Sequence, residues 1–141
     1  MHCVDDRDCT VDKTDKIYKN RPVFDCLIEK FPLYYYPECE LSLGEGMIPT
    51  KNSLSFKQYI KDKPIGWGIK TFILCESKTG YILNASVYTG KSVSDTSFVE
   101  ELGVTRLLVV RLSQPYHRLN YCLFTDRFYT FVTLAQYMLK N

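Results

Sequence analysis

No apolar run in this sequence is longer than four residues, the longest being 33–36, 72–75, 107–110 and 121–124. A membrane-spanning helix needs about 20, so a spanning segment is excluded and no membrane partner is expected. The opening residues, Met1 to Asp8, lack the apolar stretch of a secretory leader. Six cysteines are present (Cys3, Cys9, Cys26, Cys39, Cys75, Cys122), but none at C-x-x-C spacing, and there are only two histidines, His2 and His117. Structural zinc takes four ligands, normally in close pairs, so no zinc site is expected. Without a leader, a disulfide framework is not expected either. The expected state is reduced, mostly buried thiols in an intracellular protein. Tryptophan is nearly missing, with one beside 11 tyrosines and 8 phenylalanines. What is present, 141 residues with 45% hydrophobic and 24% charged, suits one folded domain and excludes outright disorder.

Acidic residues are scarce in two stretches. Residues 51–70 carry Lys51, Lys57, Lys61, Lys63 and Lys70 against Asp62 alone. From Leu102 to Asn141 the one acid is Asp126, facing Arg106, Arg111, Arg118, Arg127 and Lys140. The N-terminal arm is the reverse, with Asp5, Asp6, Asp8, Asp12 and Asp15 against Arg7, Lys13 and Lys16. The net charge of +2 conceals this division. An acidic arm followed by basic stretches suits an anionic partner such as nucleic acid, although a solvated face has the same composition.

The pattern of apolar residues gives the elements. Residues 1–18 are polar and expected to be disordered, and 19–37 form a helical lead-in. There Val23, Leu27 and Phe31 recur at helical spacing, with Pro22 in the first turn and Pro32 ending the pattern. Tyr34 to Tyr36 are expected to pack where the chain enters the domain. From Glu38 the period becomes two, with Cys39, Leu41 and Leu43 facing one way. A lysine-bearing loop follows, then strands over 67–76 and 81–89 joined by a Ser77–Gly80 hairpin turn. A helix over 104–112, a short buried strand over 121–126 and a helix over 131–140 complete the order. Three strands, a helical crossover and a parallel strand make a mixed-sheet α/β domain over 38–141. Asp126, at the end of the last strand, lies where reactive groups gather in such sheets.

Several ordered segments carry a family resemblance. They are Glu40-Leu41-Ser42-Leu43-Gly44-Glu45-Gly46-Met47-Ile48-Pro49, Leu54-Ser55-Phe56-Lys57-Gln58-Tyr59-Ile60 and Lys63-Pro64-Ile65-Gly66-Trp67-Gly68-Ile69-Lys70. Ser77-Lys78-Thr79-Gly80-Tyr81, Val87-Tyr88-Thr89-Gly90-Lys91 and Thr125-Asp126-Arg127-Phe128-Tyr129-Thr130 continue in the same order. Together they resemble the piggyBac-type transposases over nearly all of 19–141. The resemblance implies a ribonuclease H-like fold and cut-and-paste DNA transposition by three aspartates holding two magnesium ions, with residence in the nucleus. Two divalent ions clamp the attacking and leaving oxygens of a phosphodiester, and they require converging oxygen ligands.

The chain departs from that pattern at its chemistry. The family's first aspartate falls on Gly44, which has no side chain. The second matches Asp126, and the third would lie beyond Asn141. Glu45 is the nearest substitute, but strand alternation turns it toward Leu41 and Leu43, unless a bulge at Gly44 or Gly46 re-aims it. The family's aromatic–basic–Gly–Arg loop reads Thr50-Lys51-Asn52-Ser53 here, and Phe131 replaces a small serine. Lys57, Lys63 and Lys70 match.

The leading expectation is an incomplete ribonuclease H-like domain, inactive as a transposase, with no resident cofactor. Asp126 remains as a weak metal ligand at most. Weak, sequence-tolerant DNA binding would come from Lys51, Lys57, Lys61, Lys63, Lys70 and Arg127. One alternative is an active metal-dependent fragment using Glu45 and Asp126 with a partner. The other is a protein-interaction module or non-functional remnant. The strand that would close the sheet is not found before Asn141, so an open edge and self-association through it are expected. Trp67 is expected in the core. His117 is expected on the surface, with no nucleophile to activate.

Overall fold

The computed structural model describes residues 14–61, 64, 66–90 and 104–140. Its elements are α1 (Arg21–Tyr34), β1 (Glu40–Pro49), β2 (Gln58–Tyr59), β3 (Trp67–Glu76), β4 (Ile82–Val87), α2 (Val104–Ser113), β5 (Cys122–Thr125) and α3 (Val132–Lys140). A single 3-10 turn, Gln114–Tyr116, follows α2. Most of the acidic arm, residues 1–13, and Lys63 lie outside the described residues, as do Cys3 and Cys9. The described end of the arm is structured: Arg21 Nε donates to Asp15 Oδ2 at 2.7 Å and Nη2 to Oδ1 at 3.1 Å, tying it to the start of α1.

β1 runs antiparallel to β3 from Leu41–Glu76 to Pro49–Gly68 and parallel to β5 from Glu40–Cys122 to Leu43–Thr125. β3 pairs antiparallel with both β2 and β4 on its other side. The sheet is therefore mixed, with the expected hairpin and parallel crossover strand, and β5 is an edge among the described residues. Alternation sends Leu41 and Leu43 to a buried face with Phe72 and Leu74. Val109, Val110 and Leu112 of α2, Leu134 of α3 and Tyr129 close the core over them.

Several expectations are corrected. α1 continues through Pro32 to Tyr34. A proline this near a helix end forfeits one hydrogen bond, and tertiary contacts hold the last turn. Tyr81 Oη donates to Phe31 O at 3.0 Å, and Tyr35 stacks on Tyr81 with centroids 4.5 Å apart. Of the helix's apolar residues, Phe24, Ile28 and Phe31 are half-buried while Val23 and Leu27 are exposed. Of the tyrosine run, Tyr35 is half-buried, whereas Tyr34 and Tyr36 are exposed, Tyr36 hydrogen-bonding Tyr121. Cys26, Cys39 and Cys122 are exposed rather than buried: Cys26 lies on the open side of α1, Cys39 precedes β1, and Cys122 pairs with the exposed Glu40. β2 was not expected: two residues are too few to show alternation.

A buried carboxylate locks the first half of the domain. Glu76, at the end of β3, has 0% exposure. Its Oε2 accepts from Tyr35 Oη (3.0 Å), Thr79 N (3.1 Å) and Thr79 Oγ1, and its Oε1 accepts from Glu38 N at 3.1 Å. It thus joins the segment after α1 to the β3–β4 turn. The Thr79 hydroxyl, then the Glu38 amide, Tyr35 and the Thr79 amide, outweigh burial and hold the Glu76 carboxyl below its ordinary value. A depressed acid contributes stability that is full above its unfolded value, near 4.5, and is lost as pH falls through the lower folded value. Glu76→Gln is predicted to lower the urea midpoint at pH 7 and to flatten the acid-side fall in stability. Equal pH slopes for the variant and the parent would refute the assignment.

Candidate metal and nucleic-acid site

The parallel pairing of β1 and β5 ends at Leu43 and Thr125, so Gly44 and Asp126 are the next residues on adjacent strands. Asp126 is exposed, and its Oδ1 accepts the Arg127 amide at 2.5 Å. Its carbonyl receives the amides of Tyr129 (2.9 Å) and Thr130 (3.2 Å), closing a tight turn after β5. A Cβ at Gly44 would meet nothing within 4 Å. The position beside Asp126 is open space where an acid would fit.

Glu45 does not occupy that space. It pairs with Phe72 across the sheet and lies on the core face with Leu43. Its Oε1 accepts from Tyr129 Oη at 2.5 Å and from Lys70 Nζ at 2.7 Å. Lys70 also sits 5.0 Å from the Phe72 ring centroid. Tyr129 is buried, and its phenol is pushed well above its ordinary value, first by burial and then by the Glu45 hydrogen bond and the charges of Glu45 and Asp126. This contact anchors the Asp126 turn to the central strand. Sequence parity indicated the direction of Glu45; nothing in the spacing indicated Tyr129 as its partner.

The residues present do not fit a pair of magnesium ions. Such ions need several converging oxygens, yet Gly44 offers none beside Asp126 and Glu45 faces the core. Among the described residues, no three of His, Cys, Asp and Glu converge as a metal requires.

The basic residues divide into groups. Lys51 and Lys61 are exposed, Arg127 is exposed beside Asp126, and Lys57 is half-buried with its Nζ 3.5 Å from Asn52 O. Lys70 is instead ion-paired to Glu45 on the core face, which removes it from the set facing solvent. Trp67 is not in the core: it is 56% exposed. Paired with Tyr59 at the start of β3, it lies where the antiparallel ladder meets the lysine loop.

His117 is half-buried, with Nε2 2.9 Å from Ser113 Oγ. Burial and Arg118 lower its pKa, favouring the neutral ring. The Ser113 hydroxyl also bonds Val109 O at 2.8 Å, closing the end of α2. This pair edges a groove of about 570 Å³ between β5 and α3. There Phe131 lies 4.2 Å under the Arg106 guanidinium.

Strand order, the parallel β5 and the placement of Asp126 define a ribonuclease H-like domain of the transposase class. The sequence matches the Transposase IS4 family profile over residues 1–141, and the chain belongs to that family, in its piggyBac-type branch. It is 31% identical over 137 residues to the human PiggyBac transposable element-derived protein 3, covering 95% of this chain and 22% of the relative. The human Chimeric ERCC6-PGBD3 protein matches at 31% identity over the same share of this chain and 12% of its own length. The structure resembles a piggyBac transposase in a synaptic complex with hairpin DNA. The TM-score is 0.78 at 25% identity, over 87% of this chain and 25% of that one. The chain thus spans about an eighth to a quarter of the longer proteins it matches.

Tyr129→Phe is predicted to cost about 1.5–3 kcal/mol in urea unfolding, the range for a hydrogen bond to a charged group. A phenol whose folded pKa is raised contributes stability that is complete below its unfolded value, near 10, and is lost as pH rises beyond it. The parent should therefore lose stability above that pH and the variant should lack that component. An unchanged midpoint in the variant would remove the anchor.

Proposed function

We propose that this chain is a transposase-derived domain that does not cut DNA and retains contacts to its phosphate backbone. The observation that carries the first half is Gly44: the strand position beside Asp126 has no side chain, and Glu45 is held on the opposite face by Tyr129 and Lys70. This reading depends on what stands at residue 44, so it applies equally to any longer product containing these strands. It also weighs against an active fragment using Glu45, since re-aiming that carboxylate would break both of its bonds. No resident metal or cofactor belongs to the reading.

The DNA-binding half rests on Lys51, Lys57, Lys61 and Arg127. From Gly44 to Pro49, β1 advances about 16 Å at ~3.3 Å per residue. Measured along a duplex axis, that is about five base-pair rises of ~3.4 Å each. A duplex lying along β1 could touch both ends. Four neutralised phosphates give a log–log salt slope near −3.6 and a loss of roughly 100-fold in affinity between 50 and 200 mM salt. Nuclear residence accompanies this reading.

Two measurements test it together. Supercoiled plasmid incubated with the chain and magnesium or manganese is predicted to stay uncut, indistinguishably from Asp126→Ala. Anisotropy with a random-sequence duplex is predicted to show the stated salt loss. Metal-dependent nicking that vanishes in Asp126→Ala would overturn the inactive reading, and salt-independent or absent binding would overturn the other half.

A further inference from the structure

We infer that Tyr59 and Trp67 form a stacking platform for an unpaired nucleobase, in a strand whose phosphates meet Lys51, Lys57 and Lys61. This rests on the DNA-binding reading and adds to it the kind of DNA preferred. The two rings face each other across the β2–β3 ladder with centroids 5.0 Å apart and planes tilted by 43°. Both are 56% exposed. A tryptophan–tyrosine pair normally gains by leaving water, so one held more than half open on a sheet end presents its faces to a ligand.

The pair is held in place by its backbone. Ile60 N donates to Gly66 O at 2.8 Å, just beyond the Tyr59–Trp67 couple. A Cβ at Gly66 would stand 2.8 Å from Tyr59 Cε2, so the ring lies in the space that the glycine leaves. Lys57 Nζ lies 5.8 Å from the Trp67 ring centroid. Exposed Lys51 and Lys61 flank the same segment in sequence and add to its positive charge.

Open rings beside cations match a ligand that carries flat faces and anionic links together. Single-stranded nucleic acid is that ligand, since bases stack on aromatic side chains while lysines follow the phosphates. A duplex buries its base faces and would meet only the lysines. A proline-rich peptide would use the rings but not the charge.

Trp67 is the sole tryptophan of the chain, so its fluorescence reports this platform alone. The full chain is titrated at low salt with oligothymidylate, with an abasic oligomer of equal length, and with a proline-rich peptide. Oligothymidylate should quench Trp67 and bind about 5- to 100-fold more tightly than the abasic strand. Tyr59→Ala should bring oligothymidylate down to the abasic affinity and leave the abasic affinity unchanged. The comparison of oligomers on the unmodified chain needs no variant to fold. Equal affinities without quenching would overturn the platform and leave the phosphate-binding reading standing. No binding of either oligomer would overturn both. Quenching by the peptide alone would assign the rings to protein recognition and overturn the inference.

Discussion

One carboxylate oxygen, Oε1 of Glu45, receives both the Tyr129 hydroxyl and the Lys70 ammonium. Tyr129 belongs to the turn that carries Asp126, Lys70 to β3, and Glu45 to the strand between β3 and β5. That single acceptor therefore ties three segments at the middle of the sheet. A buried tyrosine and a largely buried lysine would each bear a desolvation cost without it. The same bond fixes the direction of Glu45. What secures the Asp126 turn also withdraws the neighbouring acid from it.

The two faces of β1 thus have different roles. On the core face, Leu41, Leu43 and Glu45 hold the domain together. On the other, Gly44 leaves the strand bare beside Asp126, while Gly46 is covered. At Gly46 a side chain would run into Thr71 Oγ1 at 2.7 Å and Ile73 Cδ1 at 2.8 Å. At Gly44 nothing prevents one. The fold tolerates a carboxylate at residue 44, so its absence is a chemical feature of this family member and not a packing requirement. The fold is that of a piggyBac transposase, with a glycine at residue 44 beside Asp126, while lysines and aromatic rings lie toward the far end of the strand.

Much of the fold was legible because it rests on local periodicity. Alternating Leu41 and Leu43 marked β1, Gly80 marked the β3–β4 turn with its φ of +72°, and the short apolar run before Asp126 marked β5. Features set by distant contacts were not legible. Pro32 read as a helix end, yet Tyr81 and Tyr35 hold the turn beyond it. Trp67 reads as core because tryptophan usually is, yet its place at the start of β3, beside Tyr59, leaves it open. Lys70 reads with the other lysines in sequence, yet the β1–β3 register sets it opposite Met47, diagonal to Glu45, which its ammonium reaches. Parity alone placed Glu45 away from Asp126, whereas its engagement by Tyr129 required the three-dimensional path of the chain.

The central claim is that the acid beside Asp126 is missing and is not replaced by Glu45. Calorimetric titration with manganese of the parent, Gly44→Asp and Glu45→Gln tests it most directly. The parent should show no saturable heat in the millimolar range, Glu45→Gln should match it, and Gly44→Asp should gain a saturable site. Saturable binding by the parent that disappears in Glu45→Gln would contradict the account.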